Sequence, residues 1–251
     1  MFLFALFALA GANLRAAEIT VAAAADLKFA MDELAAEFRT NHQGTTVKIT
    51  YGSSGNFFAQ LQNRAPFDLY FSANIEYPRK LADAGHALDM NVFLYAVGRI
   101  VLWTPTNAPL DVQKLGFQSL LDSSVKKIAV ANPQHAPYGR AAVAAMKSLG
   151  VYEKAEPKLV FGENIAQTAQ FVQSGAADIG IIALSLAVAP QMRDAGRYWE
   201  IPLDTYPKME QGGVIMEWTK EPAAARAFRD FALGRHGREL LKRYAFFLPE
   251  K

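Results

Sequence analysis

The 251-residue sequence contains no cysteine. That excludes disulfides, thiolate metal sites, a cysteine nucleophile and lipid attachment through a thiol. Histidine is almost as scarce: His42, His86, His135 and His236 are the four present, and no two stand in an H-x-x-x-H spacing. A transition-metal cation therefore has no ready ligand set, and no cofactor is expected. An excess of one charge is also missing. Lys and Arg number 26 against 24 Asp and Glu, for a net charge of +2. The basic clusters that hold a nucleic-acid backbone are absent, so no nucleic-acid partner is expected. There is no G-x-x-x-x-G-K-[ST] loop, no G-x-G-x-x-G after the first strand pattern and no G-x-S-x-G turn. A nucleophilic Ser53 or Ser54 would need a histidine base and an acid to orient it. Only His135 lies near a candidate loop, and it reads as structural. A secreted serine hydrolase is thus the weaker alternative, and no catalytic residue is assigned.

Apolar residues, by contrast, are plentiful. Hydrophobic side chains make up 51% of the chain and aromatics 12%, enough for one large core or two smaller ones and too much for a disordered chain. Met1 to Ala12 form a run without charge. About 12 apolar residues cannot cross a bilayer core as a helix, which takes about 20, but they suit the apolar region of a secretory signal. Small residues follow at Ala16 and Ala17. Residues 1–17 are therefore read as a signal peptide, with the mature chain starting near Glu18. Export is expected to leave it free in the periplasm, since no cysteine offers a lipid anchor.

After that segment, strand patterns alternate with helix patterns. Ile19 to Ala24 reads as a short buried strand, and Asp26 stands where a helix N-cap belongs. Leu27, Met31, Leu34 and Phe38 then recur at helical spacing. Val47–Tyr51, Phe67–Phe71, Lys127–Val130 and Leu159–Phe161 repeat the strand pattern, each leading into a helix pattern, and Asp178–Ile182 is another buried strand. Such alternation implies an α/β fold with mostly parallel sheets covered by helices on both faces. A break over Val92 to Pro109 divides the units into two lobes: residues 18–97 plus 206–251, and residues 98–205. The strand pattern at Gly212–Met216 crosses back, and the C-terminal helices pack on the first lobe.

In open α/β sheets ligands bind beyond the carboxyl ends of the strands. Four loops there are small and polar: Ala24-Ala25-Asp26, Gly52-Ser53-Ser54-Gly55, Pro137-Tyr138-Gly139 and Glu163-Asn164-Ile165. Each aims free backbone N–H groups and a partial positive charge of about half a unit at a cleft. Together they form an anion site made of dipoles and hydroxyls instead of full charges.

These segments, with Ala65-Pro66-Phe67-Asp68-Leu69-Tyr70-Phe71-Ser72-Ala73 and Gly175-Ala176-Ala177-Asp178-Ile179-Gly180, resemble those of periplasmic molybdate-binding proteins and occur in the same order. The resemblance runs from about Glu18 to Pro249. It implies a two-lobed type II periplasmic binding protein fold holding molybdate, and tungstate, in the cleft. It also implies a monomer that delivers the oxyanion to an ABC-type permease. Carried over by motif, the ligand contacts fall on Asp26, Ser54, Tyr138 and Ile165, with Ser53 and Ala25 as neighbours. Ile165 would act through its backbone N–H. Where some relatives place a tyrosine after the Gly180 strand, this chain has Ala183, and the Tyr138 hydroxyl is the candidate replacement. Asp26 departs from the Ser or Asn usual in the family. A carboxylate about 4 Å from a dianion costs several kcal/mol at intermediate dielectric. The expected resolution is that Asp26 caps its own helix and offers the ligand only its backbone N–H. Another oxyanion or small anion is the alternative ligand.

Overall fold

A computed structural model describes residues 16–248; all of the expected signal peptide except Ala16 and Ala17 lies outside the described residues. In chain order the first strands are β1 (Ala17–Ala24), β2 (Thr45–Gly52), β3 (Leu69–Ser72) and β4 (Ala87–Gly98). The next five are β5 (Ile100–Pro105), β6 (Ile128–Ala131), β7 (Leu159–Gly162), β8 (Ile179–Ala183) and β9 (Gly196–Glu200), and β10 (Met209–Met216) comes last. They form two five-stranded sheets, ordered β2-β1-β3-β10-β4 and β7-β6-β8-β5-β9. In the first sheet β10 is antiparallel to both neighbours, and in the second β5 is. Four strands of each sheet thus run one way and one runs the other, giving mixed rather than purely parallel sheets.

The side-chain alternation of β1 shows why both faces must be covered. Ile19, Val21 and Ala23 pack with Leu27, Met31, Leu34 and Phe38 of the Lys28–Asn41 helix and with Phe228 and Leu241 near the C-terminus. Ala22 points the other way, toward Phe57, Leu61, Tyr70 and Leu81. A strand buried on both faces must be apolar throughout, as the run Ile-Thr-Val-Ala-Ala-Ala very nearly is. The second sheet has its own core around Trp103, Ile128, Val130, Ile181 and Met146.

Val92 to Pro109, expected to be a break, holds the end of β4 and all of β5, joined through Arg99 alone. An extended connection satisfies its backbone groups in both sheets, which an irregular linker could not do. The chain returns between β9 and β10. Near this double crossing Phe247 pairs with Val97 through two backbone hydrogen bonds of 2.6 and 3.1 Å, and the Arg99 guanidinium lies 3.3 Å from the Phe247 ring centre.

Candidate functional site

The carboxyl ends of β1, β2 and β3 face those of β6 and β7 across a small, narrow cavity. Ala24, Ala25, Asp26, Gly52, Ser53, Ser54 and Ala73 line it from the first lobe, and Ala136, Pro137, Tyr138 and Ile165 from the second. The four residues carried over by motif, Asp26, Ser54, Tyr138 and Ile165, and their neighbours Ser53 and Ala25 therefore meet in one place. No Lys, Arg or His lines the cavity.

Local backbone chemistry aims the donors. Ser53 is extended and caps the Ser54–Gln62 helix, its Oγ accepting from Asn56 N at 3.4 Å. That leaves Ser54 in the first turn with a free N–H. The Ser54 Oγ accepts from Ala73 N at 2.9 Å, so its own hydrogen remains available to a ligand. Pro137 begins the Pro137–Ser148 helix where its missing N–H costs nothing, and Tyr138 follows in the open turn. Asn164 caps the Ile165–Gln173 helix with an Oδ1 that accepts from Ala166 N and Gln167 N, both at 3.0 Å. This cap serves the second and third N–H groups and leaves that of Ile165 facing the cavity.

The Asp26 carboxyl does not cap its helix. The extended residue preceding the turn is Ala24 (φ −56°, ψ 136°), which has no side-chain oxygen, and Asp26 already lies inside the helical turn Ala25–Leu27. From there its carboxyl turns inward. Oδ2 accepts from Tyr138 Oη and from Gln211 Nε2, each at 2.8 Å, and the Asp26 carbonyl oxygen accepts from Ser185 Oγ at 2.9 Å. Gln211 Nε2 also donates to Tyr138 Oη at 3.0 Å. Gly98 makes room for this cluster, because a Cβ there would lie 2.5 Å from both Tyr138 Oη and Gln211 Nε2. Asp26 is 1% exposed. Desolvation pushes its carboxyl up to about 6, against the pull of the Gln211 and Tyr138 hydrogen bonds. Burial, then the Asp26 charge, holds the Tyr138 hydroxyl well above the usual phenol range, so it stays protonated. The Tyr138 hydroxyl, expected to face the ligand, is instead committed to Asp26.

A family model for bacterial extracellular solute-binding proteins matches residues 19–247. The molybdate-binding protein ModA of Rhodobacter capsulatus is 36% identical, over 92% of this chain and 88% of its own length. That of Escherichia coli is 30% identical, over 96% and 93%. The solved structure of the Azotobacter vinelandii periplasmic molybdate-binding protein superposes with a TM-score of 0.86 at 32% identity, covering 92% of this chain and all of that one. This chain belongs to the bacterial solute-binding proteins of the molybdate-binding family.

Contacts at the rim of this cleft join the loops that follow the two sheets. Gly55 N donates to the His135 carbonyl oxygen at 2.9 Å, and Ser53 Oγ lies 2.9 Å from His135 Nδ1. His135 Nε2 is in turn 3.5 Å from Glu163 Oε2. Serine, histidine and carboxylate thus come together, yet Ser53 is occupied as a helix cap and its partner sits on the opposite lobe. Sequence reasoning missed Gln211 and Ser185, which hold Asp26, and Ala73, which orients Ser54. Gln211 left one trace: a polar residue directly before the Gly212–Met216 strand pattern.

Proposed function

We propose that this protein captures molybdate, with tungstate as a second ligand, and delivers it to the membrane permease of an ABC-type importer after export to the periplasm as a monomer. The observation that carries the reading is the cation-free cavity between the lobes, ringed by first-turn N–H groups of three helices and the Ser54 hydroxyl. Such donors replace the water shell of a tetrahedral oxyanion without the tight grip of a full positive charge. The names of the relatives at 36% and 30% identity support the choice of molybdate. Open lobes admit the anion and the hinge at β4–β5 and β9–β10 closes over it. Size sets selectivity: molybdate and tungstate have longer bonds to oxygen than sulfate, and each buried donor that a smaller anion fails to reach loses roughly 1–3 kcal/mol.

Calorimetric titration with molybdate, tungstate, sulfate and phosphate tests this. One-to-one binding of the first two with silence from sulfate is expected, and silence from all four refutes it. The Ser53–His135 contact favours one rival, a hydrolase acting through Ser53. Turnover of a chromogenic ester that disappears in Ser53→Ala would establish that rival.

A further inference from the structure

Asp26 is the one ionisable carboxyl on the cavity wall, and the family contacts do not account for it. Three facts constrain it. The group is buried, with Oδ2 taken by Tyr138 and Gln211 and the main chain tied to Ser185, so the carboxyl cannot swing out to water. Oδ1 is buried with no hydrogen-bond partner, on a residue that lines the cavity. Among the described residues no cation lines the cavity; Arg140, on the Tyr138 helix, lines the adjoining cleft with Ala73 and Pro137 and is not among the groups that shift the Asp26 carboxyl. The helix bearing Tyr138 and strand β4 each present a tyrosine hydroxyl, of Tyr138 and Tyr95, both held well above the usual phenol range by burial. Strands β2 and β10 and the helices beginning at Leu184 and Ile165 present Gly52, Gln211, Ser185 and Ile165, none of them charged. Lys28, two residues along the chain, is half-buried and paired with Asp32 at 2.9 Å. Glu163 is exposed at the rim beside His135.

A dianion and a carboxylate enclosed together would place three negative charges among neutral dipoles. Burial of unpaired charge is resolved in proteins by protonation. We propose that oxyanion binding takes up one proton, held between Asp26 Oδ1 and an oxygen of the anion. This rests on the oxyanion reading above and adds a dependence on pH to it. The protonated carboxyl becomes one more donor to the anion. In the empty protein the carboxyl releases its proton near pH 6. Above that pH, binding must recapture a proton from solution, and affinity falls tenfold per pH unit. Below it the carboxyl is already protonated and affinity levels off.

Calorimetry of the full protein with molybdate, at pH 7.5 in two buffers of different ionisation enthalpy, counts the protons directly. The expected uptake is close to one per molybdate, and affinity measured at pH 7 and 8 should differ about tenfold. Asp26→Asn keeps the shape and carries its own donor. It should bind with no proton uptake and a flat profile, and at pH 8 up to about a hundredfold tighter than the parent. Parent binding with zero uptake and equal affinity at pH 7 and 8 overturns the proposal while leaving the oxyanion function intact. Absence of binding by the parent to any of the four oxyanions between pH 5.5 and 8 fails the functional reading, and the proton coupling falls with it. If Asp26→Asn does not fold, the two parent measurements decide alone.

Discussion

The backbone N–H of Gly55, on one lobe, donates to the carbonyl oxygen of His135, on the other, across 2.9 Å. Only glycine permits this approach: a Cβ at position 55 would lie 2.5 Å from that oxygen and 2.9 Å from the His135 Cα. Both obstacles are backbone, so neither can rotate away. Gly55→Ala is therefore expected to hold the closed lobes apart at a cost of about 1–3 kcal/mol, weakening molybdate binding by one to two orders of magnitude. Small-angle scattering should show an enlarged ligand-bound form. An unchanged radius and affinity would show that this contact plays no part in closure.

Ile165 is expected to serve through its backbone alone, and proline can test that cleanly. Position 165 is the first helical residue, where proline is well tolerated. Asn164 before it is extended (φ −151°, ψ 174°), as a residue preceding proline prefers. Ile165→Pro should delete one donor while leaving the helix in place, at roughly 1–3 kcal/mol of binding. Ile165→Val, which keeps the N–H, provides the reference for lost side-chain volume. Equal titration results for the two variants would dismiss the backbone donor.

The neighbouring serines should separate in the same assay. Ser54→Ala removes a hydroxyl with a free hydrogen and also strands the buried Ala73 N–H, so affinity should fall by roughly 1–3 kcal/mol and the melting temperature should drop with it. Ser53→Ala loses a helix cap worth about 1 kcal/mol of stability and the contact to His135, and its affinity loss should be the smaller. A larger binding defect at Ser53 than at Ser54 would reverse the roles assigned here.

These residues also show what the sequence made legible. Helix starts are local events: Ser53 and Asn164 cap the turn that follows them, and a Pro before Tyr138 marks another, so the four loops could be placed from spacing alone. The strands were equally local, because burial on both faces forces unbroken apolar runs such as that of β1. The partners of Asp26 were not local. Gln211 lies 185 residues away along the chain and Ser185 lies 159 away, and neither carries a motif. Without them a carboxylate before an apolar helix reads as a cap, the commonest reason for an Asp there. The extended path of β4 into β5 was hidden for a related reason, since whether a run pairs within a sheet depends on strands elsewhere in the chain.

Asp26 should also leave its mark on the empty protein. Its carboxyl titrates at about 6 when folded against 3.8 as a free side chain, chiefly through desolvation. The folded state therefore holds this proton more tightly than the unfolded state, and between those two values folding takes up a proton. Stability from this group rises as pH falls from about 6 toward 4, opposite in sign to a salt-bridged carboxylate. The ionised form above pH 6 is worth about 3 kcal/mol less than the neutral one. Asp26→Asn removes that penalty, and in a chain of this size about 3 kcal/mol corresponds to about 6–12 °C. Without ligand, the variant should melt higher than the parent by about that much at pH 7.5, and the gap should close near pH 4. A gap that stays constant with pH would mean the Asp26 carboxyl titrates in the folded protein as it does in the unfolded chain, and the burial seen here would carry no electrostatic cost.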